Sequence, residues 1–131
     1  MNEFSTARMT AVKKRGSVSS EPVFDLQGTM GRLAGDEELL GDLVGFFFED
    51  TPRLLAEIRN AANTNDAPAL RSAAHALKGI IAGCGGVRAA QAAQKVETAA
   101  FECDFSKIDN LTASLSAEYD LFAQAVSRFR R

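Results

Sequence analysis

The stretch DAPALRSAAHALKGIIAGCGG, Asp66 to Gly86, carries a start, a body and a stop for one helix. Asp66 with Pro68 just behind it makes a good N-terminus. A short carboxylate can accept from the free amides of the first turn, and proline is tolerated there because its missing N–H is not needed. Gly83, Gly85 and Gly86 supply the end. At roughly 100° per residue, Leu70, Ala73, Ala74, Leu77, Ile81 and Cys84 gather on one side. One apolar face on an otherwise polar helix calls for partners of the same kind.

The flanking sequence provides them. Asn63-Thr64-Asn65-Asp66 reads as a turn, and before it Leu40, Leu43, Phe47, Leu54, Ile58 and Ala61 follow a three-four spacing. Pro52 inside that run predicts a kink or a local break. Further upstream, Asp25 can cap a short helix with Leu26, Met30 and Leu33 on one face, which Gly35 ends before Asp36 caps the next. Downstream, an alanine-rich helix is expected from about Val87 to Phe101. Ser106 is expected to cap a last helix with Ile108, Leu111, Leu115, Phe122, Val126 and Phe129 on one stripe. No segment alternates like a strand. The expected fold is all-α: an antiparallel up-and-down four-helix bundle, with the short additional N-terminal helix packed across one end. Phe47 fits the seam of the bundle, and Phe46 and Phe48 are expected under the short first helix.

The 131 residues, 46% of them hydrophobic, suffice for one domain with a real core, placed at 22–131. Residues 1–21 are polar, with a basic knot at Lys13, Lys14 and Arg15, and read as a disordered N-terminal arm or linker; Glu3-Phe4 near the start has the look of a cloning scar. A formal charge of −2 argues against a general nucleic-acid binder. No apolar run approaches the roughly 20 residues of a membrane span, and the start lacks a signal peptide's apolar segment. Cys84 and Cys103 are expected as reduced thiols. A soluble, cytoplasmic, monomeric protein is expected.

His75 is the sole histidine. It falls about 140° from Leu70 on the helical wheel, beside Arg71, Lys78, Gly79 and Ala82, and so points away from the core. Lys78 and Gly79, at i+3 and i+4, are its neighbours on the helix surface. One offers a cation; the other removes a side chain that would shield the ring, although a mid-helix glycine costs about 0.5–1 kcal/mol relative to alanine. One His and two isolated Cys cannot make a zinc site. Cys84 lies on the buried side, out of reach for a Cys–His pair, and Gly83-Cys84-Gly85-Gly86 lacks the Lys-Ser/Thr of a phosphate loop. No orienting partner or pocket for acid–base work is identifiable. What remains is the imidazole as a nucleophile acting alone on a partner's electrophile, with Lys78 offsetting phosphoryl charge.

His75-Ala76-Leu77-Lys78-Gly79, followed by small residues and Gly85, resembles the histidine-containing phosphotransfer (HPt) domain of multistep two-component signalling. The resemblance extends to Phe47-Phe48-Glu49-Asp50-Thr51-Pro52-Arg53-Leu54-Leu55, to the Asn-Asp turn, and to Glu97, and covers about residues 22–130. It departs at Ile80 and Ile81, where small residues are usual; Ile81 is expected to pack inward and Ile80 to alter the partner-facing rim. The resemblance implies a phosphorelay intermediate and not an autonomous enzyme. A receiver domain docks on the face formed by Arg71, Ser72, Gly79 and Ala82. His75 takes its aspartyl phosphate through Nε2 and passes it to another receiver, in a pathway headed by a sensor histidine kinase. No cofactor is expected on this chain, the divalent metal belonging to the receiver. A free-standing protein and a piece of a hybrid kinase fit equally. A kinase dimerisation domain fits poorly, since no acidic residue follows His75 directly and no Thr-Pro or Asn-Pro comes after it. A helical adaptor that binds receiver or kinase domains without being phosphorylated is the remaining alternative.

Overall fold

The computed structural model describes residues 21–130. Residues 1–20 and 131 lie outside it, and with them, Glu21 apart, the expected disordered arm. Five helices follow in order: α1 (Leu26–Arg32), α2 (Glu37–Asn63), α3 (Ala67–Gly83), α4 (Val87–Phe101) and α5 (Ile108–Val126), the last closed by a 3-10 turn, Ser127–Phe129. Helices α2 to α5 form the bundle, with contacts closing the ring from α2 to α3, α4, α5 and back to α2. Among the described residues there is no strand, and no helix is long and apolar enough to cross a membrane.

Three of the starts are carboxylate caps. Asp25, Asp36 and Asp66 accept from the amides of Gly28, Leu39 and Ala69 at 2.9, 3.0 and 3.1 Å, each stabilising by about 1 kcal/mol. The stops share a device as well. Helices α1 to α4 each end in a left-handed residue (Ala34, Asn65, Gly85 and Cys103), after which the next amide bonds back to a carbonyl five residues earlier.

Only one of those four residues is glycine, because only there is the space closed. Ala34, Asn65 and Cys103 are exposed, whereas Gly85 is buried. A Cβ on Gly85 would collide with the Thr29 hydroxyl and stand 3.0 Å from the Asp25 carbonyl. Thr29 is itself fully buried and donates to Asp25 O at 2.7 Å, while Asp25 N donates to Gly85 O at 2.9 Å. The short α1 is thus tied by backbone to the α3–α4 turn. Phe24 completes the seal, edge-on to Phe122 and Phe129.

The core follows the expected stripes. Phe47 is fully buried at its centre, against Phe48, Tyr119 and Phe122. Three sequence expectations need correction. Of the kink or local break expected at Pro52, the break is absent: helix α2 runs unbroken through it. Thr51, next to the proline, donates to Phe47 O at 2.6 Å and receives the Tyr119 hydroxyl at 2.6 Å; threonine has one proton to give, so Tyr119 is the donor. That bond ties the proline turn to α5, and burial of Phe47, Thr51, Leu54 and Ile58 on both sides outweighs one lost backbone bond. Phe46 does not lie under α1: its side of α2 faces solvent and it is 56% exposed. Phe48 is half-buried, with Phe47 on one side and the Arg130 guanidinium over its ring. Nor does Ser106 cap α5. Its amide and hydroxyl both donate to Asp104 at 3.0 and 2.7 Å, a local turn that holds the Asp104 carboxyl below its usual range, and α5 begins beyond it at Ile108.

Cys84 and Cys103 flank the 15-residue α4, which spans about 22 Å, too far for a disulfide. Both thiols are free, and burial pushes Cys84 up to about 11.

Gly85→Ala should therefore cost about 2 kcal/mol or more, since backbone strain and a steric clash coincide. Urea unfolding measures it. A midpoint equal to the parent's would show that α1 is not held at this turn.

Candidate functional site

The alanines of α3 and α4 bring the two helices close and leave their outer edges side by side. From α3, His75 projects outward with its side chain 68% exposed. From α4, Gln94, Glu97 and Thr98 share one edge, being three and four residues apart. Glu97 meets both groups of interest. Its Oε2 stands 2.8 Å from His75 Nδ1 and its Oε1 2.8 Å from Lys78 Nζ. The Lys78 contact is an ion pair without an aligned hydrogen bond; the aligned bond from Nζ goes to Gln94 Oε1 at 2.8 Å. Gln94 in turn donates to Thr98 Oγ1 at 3.0 Å.

The electrostatics follow from this sharing. The Lys78 ammonium first, and the His75 hydrogen bond after it, hold the Glu97 carboxyl below its usual range, against the opposing effect of its burial. The carboxylate is therefore the form present at neutral pH. A carboxylate can only accept, so Nδ1 carries a proton, and in the neutral ring the lone pair is on Nε2. That tautomer follows from the hydrogen-bond network. The Glu97 carboxylate thus orients an exposed imidazole by its Nδ1 side.

The sequence reading needs one revision here: the imidazole has an orienting partner. No orienting partner was identifiable along α3 because it comes from the next helix, 22 positions on. Glu97 entered the sequence reading only through the family resemblance. The structure also shows Lys78 engaged with Glu97 and Gln94, and only 27% exposed.

The expected docking residues surround the ring. Arg71 and Ser72 lie on its N-terminal side and, with Pro68 and Glu97, line a shallow cleft of about 400 Å³. On its C-terminal side Lys78, Gly79 and Ala82 line a groove of about 530 Å³ against Ala90 and Gln94 of α4, with Arg32 of α1 at its edge. Ile81 is buried and Ile80 half-buried. Among the described residues no cluster of His, Cys, Asp or Glu could hold a metal ion.

The family model of the Hpt domain matches residues 42–128, from the first third of α2 to the last turn. The chain belongs to the Hpt domain family. As an Hpt domain it is a phosphotransfer intermediate of phosphorelay signalling, a setting in which such proteins work with receiver domains and kinases. Among solved structures it is similar in fold to histidine-containing phosphotransfer protein B (HptB) from Pseudomonas aeruginosa PAO1. The two are 23% identical, with a TM-score of 0.75 over 83% of this chain and 95% of that one. A comparison with curated proteins gave no match.

Gly79 separates access from packing. A Cβ there would meet nothing within 4 Å, so the glycine serves no close contact within the domain. Gly79→Gln should hold or raise stability by about 0.5 kcal/mol while blocking phosphate uptake from a phosphorylated receiver. Uptake from small phosphoramidate should change much less. A loss of more than about 2 kcal/mol, beyond the usual cost of a surface change, would refute this account of the glycine.

Proposed function

We propose that His75 is the phosphoacceptor, taking its phosphoryl group from the aspartyl phosphate of one receiver domain and yielding it to an aspartate of another. The observation that carries this is the Nδ1–Glu97 pair, which puts the neutral ring's proton on Nδ1 and its lone pair on Nε2, on an exposed face. In the forward step the Nε2 lone pair attacks phosphorus, the N–P bond forms, and the acyl P–O bond breaks to leave the receiver's carboxylate. No proton need move, because Nδ1–H stays in place. The ring becomes cationic, and the neighbouring Glu97 carboxylate stabilises that charge as it develops. The return step reverses each of these changes. The receiver supplies the divalent metal.

Lys78 has two roles in this reading. It holds Glu97 ionised at rest, and its ammonium, three residues from His75 on the same helix face, offsets charge on the incoming phosphoryl oxygens. Positioning and charge stabilisation are most of what phosphoryl transfer asks of a protein, so the protein acts as a carrier and leaves the rest to its receivers. Arg71, Ser72, Gly79 and Ala82 form the rim on which a receiver is seated.

The direct test is phosphate labelling from a phosphorylated receiver, with the product challenged by acid and by base. Phosphohistidine survives base and is lost in acid. His75→Gln should abolish labelling and leave the melting temperature nearly unchanged, since the side chain is solvent-facing. A non-phosphorylated adaptor would show no label in the parent protein.

Glu97→Gln tests the electrostatic part. Glutamine can still accept from Nδ1–H, so the tautomer is retained while the charge is lost. Phosphoryl uptake should slow by about tenfold, the scale of one charge-assisted contact, with acid-labile product still formed. A rate equal to the parent's would reduce Glu97 to a structural partner of Lys78.

A further inference from the structure

Arg71 stands one turn before His75 on the same face of α3. Its guanidinium has no carboxylate partner among the described residues; it lies 4.6 Å from the centroid of the Phe101 ring. Phe101 ends α4 and is 64% exposed, so it adds little to the core. An exposed cation resting on an exposed ring is a weakly held cation.

Its position is informative. Helical side chains tilt toward the N-terminus, so the His75 ring leans over the turn that carries Arg71 and Ser72. The cleft lined by Arg71, Ser72, His75 and Glu97 is that space. A phosphoryl dianion on Nε2 enters a site where Glu97 and Lys78 already offset one another. Even with the ring cationic, one negative charge is left uncompensated, and Arg71 borders the same cleft.

We infer that Arg71 is a second phosphoryl-binding residue, parked on Phe101 while His75 is unmodified and moving to the phosphoryl oxygens once His75 is phosphorylated. A planar guanidinium suits this exchange. It stacks on a ring in one state and gives two parallel N–H bonds to phosphoryl oxygens in the other, bonds stronger than the stacking they replace. The role is distinct from seating a receiver and needs no partner protein. It rests on His75 as the phosphoacceptor.

The test uses the full chain loaded with phosphoramidate, whose P–N bond breaks with loss of ammonia as the new P–N bond forms at Nε2. In the parent, the Arg71 Hε resonance should leave its ring-shielded position on phosphorylation. The ³¹P titration midpoint of the phosphohistidine should rise by about half a pH unit in Arg71→Gln, as a nearby cation favours the dianion, and Arg71→Lys should recover part of that rise. An Hε that stays ring-shielded after phosphorylation overturns the inference, as does an Arg71→Gln midpoint equal to the parent's. Phosphate incorporation into His75→Gln would instead remove the phosphoacceptor reading beneath it.

Discussion

The site depends on how closely α3 and α4 can approach. Ala73 and Ala74 on one helix, and Ala89, Ala92, Ala93 and Ala100 on the other, are all buried. Side chains this short let two helices pack near the lower end of the usual interaxial range, roughly 8 Å. Across this alanine-lined seam a glutamate on the edge of α4 makes 2.8 Å contacts to two residues of α3 at once. Larger core residues here would widen the gap and part the histidine from its carboxylate without touching either.

The rest of the molecule maintains that approach from outside. The bulk missing between α3 and α4 is supplied by α2 and α5, where Phe47, Tyr119 and Phe122 fill the centre. The turn joining α3 to α4 is fixed by α1 through the Asp25–Gly85 backbone bond and the packing around Thr29. This accounts for a seven-residue helix that would be marginal by itself. It sets the end of the helix pair on which the site is built, and places Arg32 at the edge of the groove beside Gly79.

Much of this was legible in the sequence, for a physical reason. Caps, stops and apolar stripes are local signals, and the Asp66 start, the Gly83–Gly86 stop and the outward direction of His75 all follow from residues within a few turns of one another. The misreadings were non-local or competitive. Ser106 donates its amide and hydroxyl to Asp104 instead of accepting from the amides of the helix start it was expected to cap. Pro52 did not break α2, because the strength of the packing around it comes partly from Tyr119, 68 positions from Thr51. Phe46 faces solvent although its chemistry is that of a core residue. Glu97 as the orienting group required knowing that α4 lies beside α3 in register. The wheel gives directions around one helix and says nothing about the height of the next.

Gly79 and Gly85, six residues apart, show how stability and function are divided. Gly85 is buried, left-handed and walled by Thr29 and Asp25, so its missing Cβ is a condition of folding. Gly79 is exposed in a regular helix, with open space where a side chain would be. Nothing inside the domain requires a glycine there, and helix propensity opposes it. The fold by itself therefore gives no reason for a glycine at this position. The same reasoning applies to the exposed ring of His75. Its charged neighbours, Lys78 and Glu97, stand at the edges of α3 and α4 and outside the apolar cluster. The bundle's own constraints fall on alanines, aromatics and one glycine that lie apart from the His75 ring.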